Sequence, residues 1–239
     1  MKTMTFIRAL APVYAVVLLT LTLFAALGSK AVTVMGENAA ADTRRCVIID
    51  AGHGGEDGGA VADNGVYESK INLNIALKLQ DLLHLLGIKT KMIRTTDISV
   101  YTKGNTIAAR KASDLVERAR IVNETANGLL ISIHQNHFSE SKYSGAQVFY
   151  AKTEGSKELA TQVQTTLVNS LNPGSKRQCK AADGIYLMQH IANTGILVEC
   201  GFLSNPIESA NLQNDIYQQK ICCVLASVCS RYINNTDFT

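Results

Sequence analysis

Proline is scarce in this chain, 3 residues in 239, and no long polar tract interrupts it, which argues against extensive disorder. Charge is scarce too. Charged residues make up 18% against 46% hydrophobic, so there is ample apolar material for a buried core. The formal net charge of +3 is too small to imply a nucleic-acid partner, and no basic run interleaved with aromatics appears. The six cysteines (Cys46, Cys179, Cys200, Cys222, Cys223 and Cys229) contain no CxxC pair, so zinc-ribbon and thioredoxin-type readings have no support. Cys222 and Cys229, seven apart on one face of an expected helix, read as small core residues. The Gly-rich GHGGEDGG lacks the Gly-Lys-Ser/Thr ending of a phosphate loop, and no HExxH pair occurs. No internal repeat is visible.

The amino terminus carries one long hydrophobic run. Lys2 and Arg8 precede an uncharged, mostly apolar stretch from Ala9 to Gly28, long enough to cross a ~30 Å hydrocarbon core as a helix. Residues 1–28 are therefore expected to be a signal peptide or a membrane anchor, with small residues at Ala26 and Gly28 offering a cleavage site. A buried core helix fits poorly, because the run has no polar face. The positive charges before it place the rest of the chain outside the cytoplasm, secreted or anchored to a membrane. Residues 29–43, small and polar without periodicity, read as a linker.

From Arg44 onward strand-like and helix-like patterns alternate, defining a domain over 44–239. CVIID reads as a buried strand. Ile71, Ile75, Leu79, Leu82, Leu83 and Leu86 recur at helical spacing before Gly87, and IKTKMIR reads as the next strand, which predicts a βαβ unit with a parallel pair. A helix over 107–125, the strand LLISIH, the strand AQVFYA and a helix over 157–171 follow. Residues 172–182 read as a loop, then GIYLM and GILVECGF as strands. Asn205-Pro206-Ile207-Glu208 has the order of a helix start, and a last helix covers 215–232. The expected fold is a single α/β domain, a mainly parallel twisted sheet with helices on both faces, preceded by an N-terminal hydrophobic helix.

In such sheets, sites gather at the carboxyl ends of the strands. His53 follows the first strand in DAGHGGEDGGA, Glu68 stands just before the long helix, His134 closes LLISIH and Glu199 closes GILVE. Two imidazoles and a carboxylate make a three-ligand zinc set with a position left for water, and a further carboxylate could move the water's proton. Together they would suit amide hydrolysis. Each residue also has a plainer role. A histidine after a glycine turn is more often a surface residue, Glu68 could be a favourable charge at a helix start, and Glu199 could be a capping or paired carboxylate.

Several ordered segments resemble the zinc-dependent N-acetylmuramoyl-L-alanine amidases of the amidase-3 family. DAGHGGEDGGA resembles its Asp-Pro-Gly-His-Gly-Gly turn, with Ala51 in place of the usual proline. YESKINLNIALKLQDLLHLLGIKTKMIRTTD, LVERARIVN followed by LLISIHQN, and GILVECGFLSNPIE match its later blocks, and the likeness covers nearly all of 44–232. The resemblance implies that His53, Glu68 and His134 bind one catalytic Zn2+ and that Glu199 is the catalytic carboxylate. It implies hydrolysis of the amide between N-acetylmuramic acid and L-alanine in peptidoglycan, whose glycan strands and stem peptides would be the partner. YTKGNTIAARKASDLVERARIVN, SGAQVFYA and ADGIYLMQH are most similar to the germination-specific amidases of endospore formers, which strip peptide from cortex muramic acid before muramic-δ-lactam forms. An activating protein partner is left open. A non-catalytic peptidoglycan-binding module and a zinc peptidase of the stem peptide are the alternatives.

Other polar residues read more plainly. His137, three residues after His134, falls on the other strand face and is expected at the pocket rim, whereas Asn136 shares the face of His134. His84 and His190 have no evident partner in a site. Arg118 could orient a carboxylate near the site or be a solvated helix charge. Cys200 alternates to the sheet face opposite Glu199, so a nucleophilic role is not expected for it.

Overall fold

The computed structural model describes residues 45–234. The hydrophobic segment and linker expected over 1–43 lie outside the described residues. Among the described residues, no helix is long and apolar enough to cross a membrane.

Chain order is β1 (Cys46–Ala51), α1 (Glu68–Leu85), β2 (Thr90–Met92), α2 (Ile107–Asn123), β3 (Gly128–Asn136), β4 (Gln147–Tyr150), α3 (Ser156–Leu171), β5 (Lys180–Ala181), α4 (Tyr186–His190), β6 (Thr194–Phe202), α5 (Pro206–Leu212) and α6 (Asp215–Ile233). The strands form one six-stranded sheet in the order β2-β1-β3-β6-β4-β5. All neighbours are parallel except β4 against β6. The antiparallel step has a simple cause. No helix separates β3 from β4, so the chain returns without the crossover that a parallel strand requires.

β1 is buried at every position, as a strand covered on both faces must be. One apolar layer joins it to α1, α3 and α6 through residues such as Ile71, Leu79, Leu159, Val163 and Leu225. A smaller layer on the other face joins Ile48, Leu130 and Leu197 to Ala119 and Val122 of α2 and Leu187 and Met188 of α4. In α1 the residues Ile75, Leu79 and Leu83 are fully buried, each contributing about 1.5–3 kcal/mol by leaving water. Leu86 instead lies exposed beyond the helix end. There Gly87, at φ 71°, turns the chain, with the Gly87 and Ile88 amides donating to the His84 and Leu83 carbonyls. Cys222 and Cys229 are core thiols, both pushed up to about 12 by burial.

Four local readings change. GIYLM is not a strand: its Tyr186 to Met188 begin the short helix α4, because Leu187, Met188 and the following Ile191 bury one helical face against the second layer. The strand of that region is instead the two-residue β5, inside the stretch expected to be loop. Glu68 opens α1 rather than preceding it, and β3 runs past His134 to Asn136, whereas β6 ends at Phe202 as GILVECGF predicts. The helix start at α5 has its expected cap, Asn205 accepting from the Ile207 and Glu208 amides at 3.1 Å. Glu208 does not complete a capping box. Its buried carboxylate accepts from the Phe202 and Gly145 amides, both at 2.8 Å, and so ties the end of β6 to the segment before β4.

Candidate metal centre and catalytic carboxylate

Beyond Ala51 the chain enters a glycine-rich turn in which His53 has φ 60°, a left-handed conformation that side-chain-bearing residues rarely adopt. Two buried arginines hold this turn in place. Arg94, just past β2, donates to the carbonyls of Ala51 (2.8 Å), Gly52 (3.0 Å) and Ser69 (2.8 Å). Arg118, on α2, donates to Ala51 (3.0 Å) and His53 (2.8 Å) and pairs with Asp50 and Asp114. Three successive carbonyls are therefore fixed by two guanidiniums, each 2% exposed. Burial alone would raise the Asp50 carboxyl, but Arg118 and the Ser132 hydroxyl hold it below the usual range. Burial and the charge of Arg118 push Arg94 down.

The first turn of α1 is capped by the same loop rather than by a side chain. The Glu68 amide donates to Ala60 O and the Ser69 amide to Gly58 O, while Ala60 N donates back to Glu68 Oε2 at 3.0 Å. This reciprocal pair aims the Glu68 carboxylate at both histidines. His53 Nε2 lies 3.3 Å from Glu68 Oε2, and His134 Nδ1 lies 3.1 Å from Glu68 Oε1. One ligand atom from each of His53, Glu68 and His134 falls within 4.8 Å of the other two. Outer hydrogen bonds fix two of the three side chains. Asp57 Oδ2 meets His53 Nδ1 at 2.8 Å, and Asn72 and the Gln135 amide donate to Glu68 Oε1 at 3.1 and 3.0 Å. A Cβ on Gly52 would lie 2.2 Å from His134 Cε1 and Nε2, so only glycine lets that ring sit against the turn.

The electrostatics suit a cation. Burial opposes protonation of His53, yet hydrogen bonds to Asp57 and Glu68 hold it up to about 9. Burial would likewise raise Glu68, but both imidazoles draw it well below the usual range. Glu199 sits directly opposite His134 in the β3–β6 ladder. Burial, helped by repulsion from Glu68, pushes it up to about 7 against the pull of the histidines. Its Oε2 is buried and has no hydrogen-bond partner among the described residues. An unsatisfied buried oxygen is costly unless a ligand or reaction uses it. A cleft of about 190 Å³ opens beside these groups, lined by His53, Asp57, Lys111, Leu115, His134 and Tyr186.

Comparison with known proteins decides the family. The family model described as N-acetylmuramoyl-L-alanine amidase matches residues 47–227. The germination-specific N-acetylmuramoyl-L-alanine amidase of Bacillus subtilis is 36% identical over 190 residues, covering 79% of each chain. This chain belongs to the N-acetylmuramoyl-L-alanine amidase family. As a member it is a peptidoglycan amidase. Among solved structures, the CwlD amidase from Clostridioides difficile in complex with the GerS lipoprotein is similar at TM-score 0.76 and 36% identity, covering 80% of this chain and 99% of that one. The N-acetylmuramoyl-L-alanine amidase from Clostridium difficile 630 is similar at TM-score 0.71 and 29% identity, over 82% and 100%.

The site residues of this amidase fit a zinc ion by their own chemistry. Two imidazole nitrogens and a carboxylate converge, an outer carboxylate orients His53, and the strand neighbour of His134, Glu199, keeps an unpartnered carboxylate oxygen. The structure gathers His53, Glu68 and His134 into one cluster and sets Glu199 opposite His134 in the β3–β6 ladder. His137 is exposed past the end of β3, His84 is exposed and meets Thr90 Oγ1 at 2.6 Å, and His190 is exposed and stacks on Tyr186. Cys200 is buried, and burial raises its thiol far above the range of a nucleophile. Asp50, Asp57, Asn72, Arg94 and Gln135 were not singled out. Asn72 alone left a signal, one helical turn after Glu68.

Proposed function

We propose that this amidase holds one zinc ion through His53, Glu68 and His134 and uses Glu199 as its catalytic carboxylate on the amide joining N-acetylmuramic acid to L-alanine. One observation carries the reading: beside the two-histidine, one-carboxylate cluster, opposite His134 in the ladder, stands a buried carboxylate whose Oε2 has no partner among the described residues. Zinc, when bound, supplies Lewis-acid polarisation of the carbonyl and acidification of water. The chain's own residues do the rest. Glu199, pushed up to about 7 in the metal-free site, is suited to take the proton of the attacking water and return it to the leaving alanine nitrogen. Asp57 keeps the Nδ1 proton on His53, leaving Nε2 free as the donor atom. A binding module would have no use for the unpartnered Glu199 oxygen.

The biological setting follows the relatives. Similarity to a germination-specific amidase and to an amidase solved with a lipoprotein supports action on spore-cortex peptidoglycan, ahead of muramic-δ-lactam formation, with a lipoprotein as protein partner. Residues 1–28 act as signal peptide or membrane anchor, 29–43 as linker and 44–239 as an extracytoplasmic catalytic domain. The test of the catalytic assignment is Glu199→Gln. It keeps stoichiometric zinc and loses turnover by at least about a thousandfold, comparable to the upper part of the general acid–base range. Substantial turnover with zinc in place would remove Glu199 from its role.

A further inference from the structure

A cavity of about 1000 Å³ lies between the start of β4 and the segment 171–180. Its charged lining residues are Lys176, Arg177 and Lys180, with no acidic residue among the lining. Among the described residues no carboxylate pairs with any of the three, whereas Arg110 meets one and Arg118 and Arg120 two each. Arg177 is half-buried and held by neutral groups. Its Nε donates to Ser144 O at 2.9 Å, its Nη1 to Gln147 Oε1 at 3.4 Å, and its guanidinium lies 4.9 Å from the Phe202 ring centroid. Fixing a cation this way, with Nη2 left without a described acceptor, prepares it for a carboxylate.

The cavity is placed for the substrate of the active site. Gln147, part of its wall, stands opposite Glu199 in the β4–β6 ladder. Cross-strand partners emerge on one face about 5 Å apart, so the cavity opens one strand away from the proposed catalytic carboxylate. An acidic second residue on a peptide leaving that site would lie about 7 Å from the scissile nitrogen at ~3.5 Å per residue. Stem peptides of peptidoglycan carry a glutamate at that second position. The cleft lined by the histidines offers no such anchor, because its Lys111 is already paired with Asp57 at 2.8 Å and its Arg118 with Asp50 and Asp114.

We infer that this cavity receives the acidic stem-peptide limb of the substrate, with Arg177 anchoring the second-residue carboxylate and Lys176 and Lys180 adding to the field. The inference rests on the amidase reading of the site and names which limb goes where. The test measures KM and kcat on two synthetic muramoyl tripeptides, one with a free carboxylate on the second residue and one with a carboxamide. The expected result is a roughly tenfold lower KM for the free acid, in line with a hydrogen bond to a charged group. Arg177→Gln abolishes that preference by raising KM for the free acid, with kcat changed far less. The exposed pair Lys176→Gln/Lys180→Gln, whose folding is not at risk, reduces it by about twofold as screened surface charges should. Hydrolysis of both substrates with equal KM, or a preference that survives in folded Arg177→Gln, would overturn the assignment of the peptide limb and leave the amidase reading intact. Hydrolysis of neither substrate by the zinc-loaded wild-type protein would overturn the amidase reading, and this inference with it.

Discussion

Replacing Arg118 by methionine isolates what the buried arginine does. The side chain is 2% exposed and makes ion pairs to Asp50 and Asp114 and hydrogen bonds to Ala51 O and His53 O. Methionine fills much of the volume but leaves Asp50, 1% exposed, with only Ser132 Oγ at 2.7 Å. Removing one partner of a buried pair costs about 3–5 kcal/mol. That is a large share of the ~5–15 kcal/mol that holds a domain folded, and at this size it lowers Tm by about 10 °C. Urea unfolding and calorimetry at pH 7 measure it, and Asp50→Asn/Arg118→Met should recover part of the loss by removing the stranded charge. The pH dependence has a definite sign. Because Asp50 is held below its ordinary value, the stabilisation is full above the unfolded carboxylate range near ~4 and fades as pH falls through the lower folded value. A loss under ~1 kcal/mol, typical of an exposed helix charge, would refute the reasoning and the claim that Arg118 holds the His53 turn.

Gly52→Ala would place a Cβ 2.2 Å from His134, so the ring must move away from Glu68. The variant should stay folded by circular dichroism yet retain well under one zinc per chain, and full zinc content would contradict the packing argument. Zinc uptake near pH 7.5 should release about one proton, because His53 is held up to about 9 in the metal-free protein. The apparent affinity should then fall about tenfold per pH unit below 9. Calorimetry in two buffers of different ionisation enthalpy reads the proton count, and a count of zero would sink the idea. The same protonation stabilises the metal-free fold fully below the free imidazole value near 6.5, and that contribution disappears as pH rises through 9.

Much of the architecture was legible in the chain because its periodicities are strong. The stripe from Ile71 to Leu83, the apolar run Cys46–Ile49 that opens β1 and the long last helix each carry a local pattern that tertiary packing did not overrule. The segment 180–191 was not legible in this way. Four apolar residues in a row suit a strand or a helix equally, and only burial of Leu187, Met188 and Ile191 on α2 decides it. At the site, the histidines and glutamates were visible as chemistry-bearing residues beside glycines and strand ends. The groups that orient them were not visible. Arg94 and Arg118 act on backbone carbonyls more than forty residues away, and an arginine bound to carbonyls leaves no pattern in its own neighbourhood. Ambiguity over Arg118 ends only with its burial.

The most direct test of the central claim is mass spectrometry of peptidoglycan digested by the protein, once with zinc supplied and once with a chelator. Zinc-dependent release of intact stem peptides beginning with L-alanine, leaving peptide-free muramic acid, is the predicted result. Fragments that leave alanine on the glycan, or equal cleavage in chelator, would contradict it.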